Sequence, residues 1–157
     1  MKRIALLTLV FTIAYAGTAL AQMKGSADVV KAVAAPAAIS SATGERVSFT
    51  VKVDIAERWH LYAHGDTNFI GVDLVPDEGF ALEKFEAEYP AGLEKEFFGD
   101  LVELIEGKQK IKASGLVPAD LAKGEHDLAL KLTVQACDDK TCLAPAYLPV
   151  TLKLTVE

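Results

Sequence analysis

Three stretches of this chain alternate apolar and polar side chains with a period of two, and that alternation limits its fold more than any other feature. Between Glu45 and Ile55, Val47, Phe49, Val51, Val53 and Ile55 are separated by Ser48, Thr50, Lys52 and Asp54. Leu128, Leu130, Leu132 and Val134 alternate with Ala129, Lys131 and Thr133, and Leu148, Val150, Leu152, Leu154 and Val156 repeat the pattern. Successive side chains of an extended strand point to opposite faces, so each stretch predicts a strand with one face on a core. Shorter strand candidates are His60 to Ala63, Val72 to Val75, Leu82 to Phe85, Leu101 to Ile105 and Gln109 to Ala113. Asp77-Glu78-Gly79, Pro90-Ala91-Gly92, Glu106-Gly107 and Lys123-Gly124 separate them as turns. Only Pro118 to Ala122 hints at a helical turn. About eight short strands without a long amphipathic helix predict an all-β fold, an antiparallel β-sandwich of immunoglobulin-like architecture.

The amino end reads differently. Met1, Lys2 and Arg3 supply a basic start, Ile4 to Ala16 are apolar except for Thr8, Thr12 and Tyr15, and Ala19-Leu20-Ala21 has the small-residue form of a cleavage site. Residues 1–21 are therefore expected to be a cleaved export signal, too short in its apolar run for a membrane span. Of the 157 residues, removing 21 leaves 136, enough for one domain with its own core. Residues 22–44, rich in Ala, Ser and Gly, read as a lead-in with one short strand near Val29 to Val33, and the sandwich is expected over 45–157. The formal charge of −6, less the two positive charges of Lys2 and Arg3, becomes about −8. That excess argues against nucleic acid and anionic lipid as main partners. An exported chain meets an oxidising compartment, where disulfides persist.

The chain has two cysteines, and both lie in VQACDDKTCLAPAY, Val134 to Tyr147. Two neighbouring strands flank them, with Asp138, Asp139, Lys140 and Thr141 as a polar tip, so the stretch predicts a hairpin on which Cys137 and Cys142 can stand opposite each other. The core phase runs through Val134 and Ala136, so Cys137 is expected to point away from the core. Pro145 and Pro149 interrupt ladder hydrogen bonding, which predicts an edge or irregular structure there. Three readings stay open on the residues alone. A structural staple is one, although so short a loop removes little unfolded-state entropy. A labile, exchanging disulfide is another. The third is a copper or zinc site completed by His60 and His64 of WHLYAH. His126 reads as a surface histidine. No Ser-His-Asp set, H-E-x-x-H or phosphate loop supports a hydrolase or nucleotide enzyme.

With these residues in view the chain resembles the N-terminal domain of the DsbD thiol:disulfide interchange proteins. Three blocks carry the resemblance: ERWHLYAH (Glu57 to His64), KEFFGD (Lys95 to Asp100) and VQACDDKTCLAPAYLPV (Val134 to Val150). It implies an immunoglobulin-like sandwich and an activity as a protein-disulfide reductase in the periplasm, without a cofactor. A membrane disulfide reductase or its thioredoxin-like domain would donate electrons, and periplasmic disulfide-containing proteins would accept them. Cys142 resembles the cysteine that forms mixed disulfides, and Cys137 the one that resolves them. Phe97 resembles an aromatic cap over the pair, His60 and Tyr62 match positions whose side chains approach the cysteines, and Glu96 matches an acidic position near them. Trp59 is expected in the core or beneath the site. This loop has four residues between its cysteines where some members have five. With no reductase segment after Glu157, the electron donor is expected to be a separate protein. A non-catalytic exported binding module with a structural disulfide, or a copper or zinc chaperone, are the alternatives.

Overall fold

The strongest alternation becomes the longest pairing. Strands β10 (Gly124–Val134) and β12 (Ala146–Val156) form one antiparallel hairpin, in register from Gly124↔Val156 to Val134↔Ala146. The computed structural model that shows this describes residues 24–66, 68–97 and 99–157, the side chain of residue 97 excepted. The expected signal at 1–21 lies outside them. Strand β3 (Arg46–Ile55) pairs with β9 (Lys108–Leu116), from Arg46↔Leu116 to Asp54↔Lys108. The apolar partners of each alternation, Val47 to Ile55, Leu128 to Val134 and Leu148 to Val156, are all buried in one core. Burying each such side chain contributes about 1.5–3 kcal/mol, which is why the period decides the orientation of the strands.

The remaining strands are β1 (Val30–Ala35), β2 (Ala38–Ser41), β4 (His60–Tyr62), β5 (Asp73–Pro76), β6 (Glu83–Glu88), β7 (Leu93–Phe97), β8 (Asp100–Glu106) and β11 (Ala136–Cys137). Two four-stranded sheets, β1-β3-β9-β6 and β2-β12-β10-β5, share the main core. The all-β, immunoglobulin-like sandwich is thus as expected, with two differences. Among the described strands, strand-to-strand pairing is antiparallel except between β2 and β12, which run parallel from Ala38↔Lys153 to Ser41↔Val156. The segment read as a lead-in is woven into both sheets, β1 against β3 over six residues and β2 against β12. Its short Ala and Ser side chains weaken the alternation that would have marked two strands.

Pro149 stands inside β12, opposite Lys131. β2 flanks β12 only at Lys153–Val156, so among the described residues no strand pairs with that side of β12 at Pro149, which is the edge position that the prolines predict.

A third sheet, β11-β4-β8-β7, extends one end of the sandwich. Leu61, Ile105 and Ala136 on one of its faces enter the main core. On the other face Tyr62, Val102, Leu104 and Cys137 form a separate apolar cluster. That second cluster holds the cysteines.

Candidate functional site

Cys137 and Cys142 are bonded, with S–S 2.00 Å and Cα atoms 4.0 Å apart. The site is built on β4, whose residues alternate between the two clusters. Leu61 pairs with Ala136 and faces the core, while His60 pairs with Cys137 and Tyr62 with Leu104 on the opposite face. Parity therefore turns Cys137 out of the main core, as expected. It does not leave it in solvent: Cys137 is 0% exposed, because Tyr62, Val102 and Leu104 close over it. Cys142 is only partly buried in the same cluster. The pair joins one fully enclosed cysteine to one that is partly exposed.

His60 is buried between Cys137 on one side and its other strand partner, Glu106. Burial lowers the imidazole pKa from 6.5; Glu106, Asp139 and Asp138 oppose this and Lys95 reinforces it. The ring is neutral near pH 7 and meets Tyr62 edge-on at 6.1 Å. Burial, with help from Asp66, raises Tyr62 to about 12, so its phenol stays protonated. Tyr62 in turn stacks on Phe69, 4.2 Å between ring centroids and 7° from parallel, and Phe69, like Cys142, packs on that cluster. Asp66 sets the loop that carries Phe69 by accepting the N–H groups of Asn68 and Phe69 at 2.9 and 2.8 Å.

The other expected residues fall less simply. Glu96 is exposed and pairs with Leu101, on the opposite face of the β7–β8 hairpin from Val102, which packs with Cys137. In this arrangement its carboxylate is turned from the pair. Phe97 pairs through its backbone with Asp100, and its side chain lies outside the described residues. Trp59 is partly buried against the main core, as expected, with Lys24 5.7 Å above its ring. His64 is committed elsewhere: Nδ1 lies 3.0 Å from the Val72 carbonyl and 3.4 Å from Asp73, and its ring stacks on Tyr89 at 3.8 Å. Among the described residues no three of His, Cys, Asp and Glu converge as metal ligands.

Two further residues hold the hairpin, and neither was singled out in the sequence. Ser26, in a 3-10 turn at Ser26–Asp28, is buried; its Oγ donates to the Ala144 carbonyl at 2.7 Å and accepts the Ala136 N–H at 2.9 Å. It thus ties together the residues just outside the two cysteines, and nothing in the motif SAD announces that. Asp138 closes the tip: Oδ1 accepts the N–H groups of Lys140 and Thr141, each at 2.9 Å. That signal was legible, since an Asp two and three residues before free N–H groups forms an Asx turn. Beside the tip lies a cleft of about 640 Å³ lined by Trp59, His60, Arg58, Glu106, Asp139 and Lys140.

The fold and site together define an immunoglobulin-like sandwich domain that carries a partly exposed disulfide on a braced hairpin. Residues 26–153 match the family described as thiol:disulfide interchange protein DsbD, N-terminal, and the chain belongs to that family. Among solved structures it is similar to the N-terminal periplasmic domain of ScsB from Proteus mirabilis, with a TM-score of 0.55 and 14% identity. That likeness covers 81% of this chain and 45% of that one, and it speaks for the fold. A structure of aggregative adherence fimbriae of enteroaggregative Escherichia coli aligns at TM-score 0.40 and 16% identity, over 82% of this chain and 99% of that one. No curated protein matches the chain by sequence.

Proposed function

We propose that this domain is a periplasmic electron carrier that reduces disulfides of partner proteins through Cys137 and Cys142. A membrane reductase or a thioredoxin-like domain reloads it. The observation that carries the reading is the asymmetry of the pair: Cys137 is enclosed and Cys142 accessible within one small apolar cluster apart from the main core. An inert staple needs no such difference, whereas exchange needs one sulfur open to a partner and a second held behind it.

In the proposed reaction the Cys142 thiolate attacks a partner disulfide, forming a Cys142–partner bond and releasing the partner's other sulfur as a thiolate. The Cys137 thiolate then attacks Cys142 Sγ, the Cys137–Cys142 bond forms, and the partner leaves with two electrons and two free thiols after protonation. The imidazole of His60, neutral near pH 7, brings no positive charge to Cys137, so the pair does not draw thiolate stabilisation from that ring. Phe97, in the family's cap position, is proposed to cover the pair between encounters.

Equilibration in glutathione buffers, followed by alkylation with a mass tag, tests this. The expected midpoint lies well above about −300 mV, and Cys137→Ala should trap partners on Cys142. A pair that remains oxidised through the strongest glutathione buffer would make it a staple and end the carrier reading.

A further inference from the structure

The tip of the hairpin holds a device that the exchange chemistry alone does not require. We propose that Asp138 is a positioning residue: its carboxylate, anchored by Arg58, clamps the loop so that Cys137 and Cys142 face each other whether or not they are bonded. This deepens the carrier reading and rests on it.

Every hydrogen bond that closes the tip converges on Asp138. Its side chain accepts from Lys140 and Thr141, and its own N–H donates to the Thr141 carbonyl at 2.9 Å. On the sheet side the Leu143 N–H donates to the Ala136 carbonyl at 2.8 Å, so the ladder resumes just past the sulfurs. No sulfur takes part in any of these bonds, and they can persist when the disulfide opens. The second oxygen of Asp138 lies 3.7 Å from Arg58 Nη2. Arg58 sits in the β3–β4 turn with φ +75°, a left-handed conformation that few residues other than glycine adopt. The turn accepts that conformation and brings the guanidinium over the loop. Arg58 is largely exposed, so the ion pair adds little by itself; it fixes which way the carboxylate faces.

A four-residue link between two free thiols has many conformers, and oxidation selects the few in which the sulfurs meet. A loop already held in one of them has less entropy to lose, which favours the disulfide and keeps Cys137 beside a mixed disulfide on Cys142. Removing the clamp shifts the balance toward the dithiol. Removing the negative charge beside the sulfurs acts in the same direction by favouring thiolates, so the two effects must be separated. Asp138→Asn does so, since it keeps an acceptor oxygen in place and discards the charge.

The experiment is the glutathione titration on the wild type, Asp138→Ala and Asp138→Asn, with thermal unfolding of each oxidised protein to establish folding. Asp138→Ala is expected to move the equilibrium constant about tenfold toward the dithiol, a rise of ~30 mV, and Asp138→Asn to stay within roughly threefold of the wild type. Arg58→Gly, which also relieves the left-handed backbone, should shift it the same way by less. If the wild type titrates and Asp138→Ala matches it, the clamp is overturned. Equal shifts in the Ala and Asn variants overturn it too, since charge alone would account for them. If the wild-type pair stays oxidised throughout, the carrier reading fails instead, and dithiothreitol buffers decide the clamp: Asp138→Ala must reduce first, and reduction in step with the wild type overturns the proposal.

Discussion

At His60 opposing influences act on one imidazole, and burial wins. Its pKa in the folded protein lies below 6.5 despite the nearby carboxylates of Glu106, Asp139 and Asp138. As pH falls below 6.5 the unfolded chain takes up this proton before the folded one does, so folding stability is lost through that window and is fully present above it. His60→Gln should flatten the fall of the thermal midpoint between about pH 7 and about pH 5 relative to the wild type. An unchanged slope would mean that the loss belongs to other groups. At this scale the sequence showed the chemistry better than its supports. Two cysteines, a histidine and a tyrosine stand out as residue types, and the structure brings all four onto one sheet face. Ser26 acts through hydrogen bonds to backbone atoms far along the chain, which leave no mark in a sequence, whereas the turn that Asp138 closes on its near neighbours was legible. Glu96 shows the converse, since a residue can occupy a motif position while strand parity turns it to the other face.

Strands with one buried face were legible because hydrophobic burial demands a period of two, as in β3, β10 and β12. Strand β7 was not, because Glu94, Lys95 and Glu96 carry no apolar rhythm and only pairing with β8 makes the segment extended. The loop between β4 and β5 was equally silent, although it brings Phe69 onto Tyr62. Gly71 lets that loop return hard against β4: the Val72 N–H donates to the Tyr62 carbonyl at 2.9 Å, and a Cβ at Gly71 would collide with the Ala63 carbonyl oxygen. Gly71→Ala must push the loop outward, at a cost of about 1–3 kcal/mol. Thermal unfolding should show that loss, and reduction of the pair by dithiothreitol should accelerate as Phe69 lifts. A lower midpoint with an unchanged reduction rate would show that Phe69 packs beside the disulfide without shielding it.

For the molecule as a whole, the separation of the two clusters has a thermodynamic meaning. The main core gathers its side chains from both large sheets and contains neither sulfur, while the cysteines close a loop spanning only five positions. Opening that loop should lower stability by ~2 kcal/mol, a small part of what a core of this size supplies. The reduced protein is therefore expected to stay folded, with an unchanged far-ultraviolet circular dichroism spectrum and a modest fall in its denaturation midpoint. A reduced form that unfolds in buffer would be unable to carry electrons between partners. The same topology separates chemistry from assembly. The two sulfurs are near neighbours in sequence, but the hydroxyl bracing their hairpin reaches Ala136 and Ala144 across 110 and 118 residues. During synthesis, Ser26 emerges long before either partner exists. Cys137 and Cys142 can oxidise as soon as both are out, and with no third cysteine in the chain they have no wrong partner within it. Bond formation and completion of the site are then separate events: the sulfurs can join early, while the shape of the site around them waits for the two distant ends of the domain to meet.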